Sequence, residues 1–383
     1  MEKIDENVNS YPETAEKKNK TGLTKVQCNA LRGIAIIGIF LHNYCHWLNP
    51  MVKENEYQYI QDNVDWLTQV ILNADKYLPM HLFSFFGHYG VPVFLFLSAY
   101  GLVKKYEKDY TNPQTATKSK SYYPTFDFIR YHFLKLFKMM IVGFVAFIML
   151  DHITPGEHHY EILDVIAQLG LFNNVLPDPD RIIWPGPFWF FGLMLQLYIV
   201  YRLFIHKRSW KNTVALMVIC LLLQFCFGPE SDEMNRYRYN FMGGMLPFGL
   251  GILYARYFDR SLSKINEWAI MIVSTFLVFL FSYNEYGWAL VPIFICTGGV
   301  SLVKILPQTV IKQLNWFGGI SAALFICHPL TRKIFIPISR NGDLYEGLIL
   351  YIIASVCLAW LFKNLLRRIP SPRPITSLQK KDN

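Results

Sequence analysis

One apolar stretch of the chain holds an arginine and two histidines. Arg32 stands near the start of the run LRGIAIIGIFLH, which ends in His42, and His46 follows four residues later. Titratable groups are expensive in hydrocarbon, so residues of this kind inside a span usually serve function. A neutral imidazole, with an ordinary pKa of about 6.5, is suited to taking a hydroxyl proton at physiological pH. An arginine at the mouth of the same helix is suited to a phosphate.

The spacing leaves the catalytic histidine open between two positions. Nine residues separate Arg32 from His42, which at about 100° per residue turns His42 about 80° from the Arg32 face. Asn43 falls close to that face and His46 about 40° from it. His42 lies deeper in the span and His46 is the alternative; hydrogen-bonded structural roles for both are the plain reading.

The element that carries these residues is a membrane-length helix. Residues 30–48 are almost all apolar or small, and about 20 such residues cross a bilayer. Similar runs recur near residues 86–103, 136–150, 188–205, 213–227, 241–257, 268–283, 288–303, 317–335 and 348–366, giving about ten spans. The expected fold is an all-α polytopic transmembrane bundle: a polar tail at 1–29, a membrane domain at 30–368 and a tail at 369–383. A hydrophobic content of 52% agrees with one polytopic domain rather than a soluble enzyme.

Lysines and arginines cluster before the first span (Lys17, Lys18, Lys20, Lys25) and between the second and third (Lys104, Lys105, Lys108, Lys118, Lys120, Arg130). They recur after the fourth (Arg202, Lys207, Arg208, Lys211), after the sixth (Arg256, Arg260, Lys264) and at the end of the chain (Lys363, Arg367, Arg368, Arg373). With ten crossings these all face one side, which puts both termini in the cytoplasm of a cell's inner membrane. The intervening loops are acidic or mixed, as at Glu54, Glu56, Asp62 and Asp65. Arg332, Lys333 and Arg340 break the pattern. The net charge of +9 is thus chiefly a topology signal, and it gives no reason to invoke nucleic acid. The tail at 1–29 has no apolar core of a cleavable signal peptide. Residues 110–124 read as a mobile loop. Six of the seven cysteines sit in or at the ends of spans and read as small buried hydrophobes.

Five segments in order resemble the acyltransferase 3 family of polytopic O-acyltransferases. They are Arg32-Gly33-Ile34-Ala35 with His42; the stretch from Gly90-Val91-Pro92 to Leu97-Ser98-Ala99-Tyr100-Gly101; Phe188-Trp189 through Gln196-Leu197-Tyr198; Gly249-Leu250-Gly251 to Ala255-Arg256; and Ile320-Ser321 to His328-Pro329. The resemblance implies transfer of an acyl group, usually acetyl, from cytosolic acyl-CoA to a hydroxyl of a glycan or lipid-linked sugar. No cofactor is resident, and acetyl-CoA is a co-substrate. It also implies that the first-span histidine is the base or acyl relay, and that a basic pair near the third span holds the donor. Where the family has Arg-x-x-Arg, this chain has Lys135-Leu136-Phe137-Lys138, after Arg130 and His132; lysine binds phosphate as a point charge without arginine's fork. Arg32, Arg130, Lys135 and Lys138 are therefore the donor-binding candidates, with helix-end anchoring as the plain reading of the lysines.

Ser98, Tyr100, Trp189, Gln196, Tyr198, Ser321 and His328 are the acceptor or cavity candidates, and aromatic walls suit sugars. His328 is equally a packing histidine within reach of Ser321. Met194 and Leu195 stand where many members of the family carry a glutamate. The loop with Asp151, His152, Glu157, His158, His159 and Glu161 matches no metal-ligand spacing, and no metal is expected. The partners expected are membrane lipid, acyl-CoA and a glycan. A transporter without chemistry is the competing class, disfavoured because no paired halves are visible; a non-catalytic scaffold gives no reason for Arg32, His42 and His46.

Overall fold

In a computed structural model of the chain, residues 22–107, 121–122, 124–373 and 378–379 are described. Lys17, Lys18, Lys20, Lys108, Lys118, Lys120 and most of the 110–124 loop lie outside the described residues.

All ten apolar segments fall on helices. These are α1 (Lys25–Cys45), α4 (Gly90–Tyr106), α5 (Thr125–Ile153), α7 (Trp189–Val200), α8 (Trp210–Gln224), α10 (Phe241–Leu253), α11 (Lys264–Ser282), α12 (Val291–Ile305), α13 (Gln308–Asn341) and α14 (Leu344–Arg368). Between them lie α2 (Gln61–Leu72), α3 (Leu78–Phe86), α6 (Ile162–Gly170), α9 (Asp232–Tyr239) and several single turns. Apart from a two-residue antiparallel pairing of Ser121–Tyr122 with Leu378–Gln379, the described fold is helical. Six helices are long and apolar enough to cross a membrane: Leu78–Tyr106, Thr125–Ile153, Gly186–Ile205, Lys264–Ser282, Gln308–Asn341 and Leu344–Arg368. The chain is a membrane-embedded helical protein. The expected count of ten is not reached on length and composition, because helices such as α8 and α12 have only 15 residues and α1 carries Asn29, Arg32, His42 and Asn43.

Local chemistry sets the helix ends. Thr24 caps α1, accepting from the Gln27 amide while the Gln27 side chain accepts from the Thr24 amide. That reciprocal arrangement satisfies two donors the helix leaves open. Ser209, Ser231, Ser263 and Asp343 cap α8, α9, α11 and α14.

α1 is the central element, and it packs most extensively on α13. The two run in the same direction: Asn29 lies at Gly318, Asn43 at Arg332, and the Tyr44 hydroxyl is 2.8 Å from Ser339 Oγ. A side chain at Gly318 would collide with the Asn29 carbonyl, so the absence of a Cβ sets the separation of the helices. α14 returns antiparallel, with Tyr351 donating to the Phe40 carbonyl at 2.7 Å. At the Arg32 end of the bundle, Arg256 grips Glu107 through two nitrogens at 2.7 Å, and Tyr201 donates to the same carboxylate at 2.9 Å. All seven cysteines are free.

Gly318→Ala is expected to force α1 and α13 apart and to destabilise the protein by about 1–3 kcal/mol, the usual cost of overpacking. Thermal unfolding in detergent measures this; an unchanged midpoint would show that the contact does not set the spacing.

Candidate active site

α1 is one unbroken helix, so no irregularity turns His42 onto the Arg32 face. At 1.5 Å per residue the two side chains sit about 15 Å apart along it. They belong to two separate polar zones.

The His42 zone is a cavity of about 350 Å³. Its floor is the last two turns of α1, which present His42 and His46 one turn apart, and its walls come from α4, the turn before α7, α9 and α13. After α1 the chain folds back over the helix end as an irregular segment. That segment is held by Ser84 Oγ donating to the Val52 carbonyl at 2.5 Å, Val52 N to His81 Nδ1 at 3.2 Å and Trp288 Nε1 to the Asn55 carbonyl at 2.6 Å. It delivers Glu54 and Glu56 into the cavity.

His42 is 3% exposed, and its Nδ1 lies 2.8 Å from the Ser84 carbonyl oxygen. A carbonyl only accepts, so Nδ1 carries the hydrogen and Nε2 keeps its lone pair. Nε2 lies 3.9 Å from Glu56 Oε2 and 4.0 Å from Glu54 Oε1. His46 Nδ1 lies 3.0 Å from Glu54 Oε1, and the two imidazole rings are 4.6 Å apart. His88, also buried, brings a third ring to 5.7 Å from His42. Burial acts to raise the Glu54 carboxyl, but the interaction with His46, hydrogen-bonded to it, outweighs burial and holds the group well below the usual carboxylate range. For Glu56, burial and then the Glu54 charge act together and push it up to about 8. One carboxylate is thus an anion and its neighbour is held as the acid at neutral pH.

The Ser84 carbonyl reaches His42 because Gly87 has no side chain. A Cβ there would lie 2.7 Å from the His42 Cβ and 2.5 Å from the Gly38 carbonyl oxygen.

Arg332 closes the opposite side. It is 7% exposed; its Nη1 donates to the Asn43 carbonyl at 3.2 Å, and its guanidinium lies 5.2 Å from the Trp47 ring centroid. Among the described residues no carboxylate stands within 4 Å of it. Lys333 pairs with Asp151, and Arg340 donates to the Trp47 carbonyl at 3.1 Å, so the three basic residues that broke the charge pattern all have local uses. Trp189, Tyr57 and Tyr239 form an aromatic wall, with Tyr57 stacked on Tyr239 at 4.0 Å. The Tyr239 hydroxyl donates to Asp180 at 2.5 Å.

The Arg32 zone lies between α1, α4, α5 and α7. Arg32 donates to Asn29 Oδ1 at 3.1 Å and acts electrostatically on Lys135 and Tyr198. The His132 ring lies 4.3 Å from that of Tyr198, with Nε2 3.3 Å from the Tyr106 hydroxyl.

Of the residues singled out from sequence, His42, His46 and Trp189 meet in the first zone, and Arg32, Lys135, Ser98 and Tyr198 in the second. The others are placed elsewhere. Lys138 donates to the Ile369 carbonyl at 2.7 Å and to Ser371 at 3.1 Å, fastening the segment after α14. Arg130 is exposed on α5. Tyr100 donates to Asp259 at 2.8 Å. Gln196 joins α7 to α10 through Asn240 at 2.9 Å and the Phe241 amide at 2.8 Å. Ser321 donates to the Gly318 carbonyl at 2.9 Å rather than to His328. His328 Nδ1 bonds the Leu324 carbonyl one turn back at 3.1 Å, within its own helix.

Sequence reasoning missed Glu54, Glu56 and His88. The available signal for the first two was their spacing: in extended chain, residues two apart share a face, and they follow His46 by eight and ten positions.

The structure is thus a membrane-embedded helical bundle with a buried imidazole–carboxylate cavity. Residues 26–363, nearly the whole chain, match the sequence profile of the acyltransferase 3 family, described as an acyltransferase domain. The chain belongs to that family and is an acyltransferase acting on groups other than aminoacyl groups. No curated protein and no solved structure matches it.

Gly87→Ala is expected to push the His42 ring off the Ser84 carbonyl and to lower kcat/KM about 100-fold, the scale of a 1 Å misplacement, with folding intact by size-exclusion chromatography. Full activity would show that the position of His42 is not set here.

Proposed function

We propose that the protein is an integral-membrane O-acyltransferase that moves an acyl group, acetyl in the first instance, from cytosolic acyl-CoA to a hydroxyl of a cell-envelope polysaccharide or lipid-linked sugar. The observation that carries this is the tautomer of His42: with Nδ1 bonded to the Ser84 carbonyl, the lone pair of Nε2 faces a cavity large enough for a sugar hydroxyl. In this reading Nε2 takes the acceptor's O–H proton as the oxygen attacks the thioester carbonyl. The C–S bond then breaks, and the imidazolium returns its proton to the departing thiolate. Arg332, whose Nη1 alone is hydrogen-bonded among the described residues, is the donor for the negative oxygen of the tetrahedral intermediate. The Glu54 anion stabilises His46 and the transient imidazolium on His42.

The Arg32 zone is the donor end. Arg32 and Lys135 supply cations for the phosphates of acyl-CoA, and the acyl arm runs along α1 toward His42. The positive-inside pattern supports a reading in which this end, with both termini, lies at the cytoplasmic face of the inner membrane. The His42 cavity then opens toward the opposite side, where Trp189, Tyr57 and Tyr239 offer stacking faces to a sugar ring.

Purified protein in lipid nanodiscs, given labelled acetyl-CoA and extracted envelope glycan, is expected to label the glycan. His42→Ala is expected to reduce transfer by about 10²–10⁴-fold, the range for loss of a general base. Transfer at wild-type rate by both His42→Ala and the His42→Ala/His46→Ala double variant would contradict the mechanism.

A further inference from the structure

We propose that the His42 cavity also binds a divalent transition-metal ion of the zinc class, on His42 Nε2, His46 and Glu54, and that the ion bound there shuts off acyl transfer. His42, His46 and Glu54 each offer one ligand atom, and these atoms lie within 4.8 Å of one another. The separations of 3.0 Å from His46 to Glu54 and 4.0 Å from His42 to Glu54 bracket the roughly 3.3–3.5 Å that tetrahedral ligands adopt around zinc at bond lengths of about 2.0–2.1 Å. Two histidines one helical turn apart, with a carboxylate across from them, form a half-built tetrahedron that shifts of a few tenths of an ångström complete.

Three further observations point to a cation. His46 Nε2 and Glu54 Oε2 are buried without a hydrogen-bond partner. The cavity gathers the carboxylates of Glu54 and Asp180 against the single guanidinium of Arg332, so its charge favours a positive guest. The hydrogen bond from His42 Nδ1 to the Ser84 carbonyl is the outer contact that commonly orients a metal-bound imidazole, and Glu56 Oε2, 3.9 Å from His42 Nε2, is placed as a fourth ligand. The imidazole-rich donor set selects zinc-like ions over magnesium or calcium, which demand more oxygens. Binding consumes the lone pair that the proposed base needs. The inhibitory half of the inference therefore rests on His42 being that base, whereas the binding half does not.

Calorimetric titration of the chelator-washed full chain with Zn²⁺ tests this. One site is expected, with Mg²⁺ giving no heat. His46→Ala and Glu54→Gln are each expected to weaken binding by about 100-fold or more, beyond the usual loss of an outer contact. The exposed loop histidines are the control: His152→Ala/His159→Ala should bind as wild type. On the unmodified protein, Zn²⁺ should protect His42 and His46 from carbethoxylation, read by peptide mass spectrometry, so the test does not depend on the variants folding. In the transfer assay, Zn²⁺ should inhibit and EDTA should restore the rate. Absence of binding, binding lost only in the loop variant, unprotected histidines, or full transfer at saturating Zn²⁺ would overturn the proposal. Failure of the acyltransferase reading itself would look different: Zn²⁺ bound at this site in a protein that transfers no acyl group even when metal-free.

Discussion

The hydrogen bond from His42 Nδ1 to the carbonyl of Ser84 is the constraint on which the rest of the site depends. It joins α1 to α3, and it decides which ring nitrogen holds the hydrogen. Much of the local packing serves that one contact. Gly87 lets the turn come close, Ser84 Oγ ties the same residue to the returning segment at Val52, and that segment carries Glu54 and Glu56 to the Nε2 edge of the ring. An imidazole held this way presents an acceptor to the cavity before any substrate arrives, so the proposed proton transfer would need no reorganisation of the ring.

A second constraint is the straightness of α1. Because the helix is regular, Arg32 and His42 face different surroundings about 15 Å apart, and a single element serves two zones of opposite character. At one end basic and hydroxyl groups surround Arg32; at the other, carboxylates and aromatic rings surround His42. The close approach of α13 holds the arrangement, contributing Gly318 at the edge of the Arg32 zone and Arg332 to the His42 zone. A donor and an acceptor entering from opposite sides would meet near the His42 end, which is the geometry the proposed transfer requires.

The sequence conveyed those features that are written locally. Apolar runs mark helices because burial of each face repeats along the chain, and all ten runs became helices. His42 and His46 stood out because polar groups in hydrocarbon are rare. Glu54, Glu56 and His88 did not, because their roles arise only when the segment after α1 folds back and α4 packs against it; in the sequence Glu54 and Glu56 are ordinary acidic loop residues. Arg332 read as an anomaly of charge topology until α13 placed it beside Asn43 and Trp47. Conversely, Lys138, Tyr100, Gln196, Ser321 and His328 had suitable chemistry but form hydrogen bonds that fasten one segment to another or a helix to itself. Hydrogen-bond partners distant in sequence decide such cases, and no spacing rule reports them.

The most direct measurement is the tautomer of His42 in the membrane-embedded protein. With histidine ring nitrogens labelled by ¹⁵N, the resonances that disappear in His42→Gln identify the ring. The account requires a proton on Nδ1 and an unprotonated Nε2 at neutral pH in the metal-free protein. A ring protonated on Nε2, with Nδ1 as the acceptor, would contradict it.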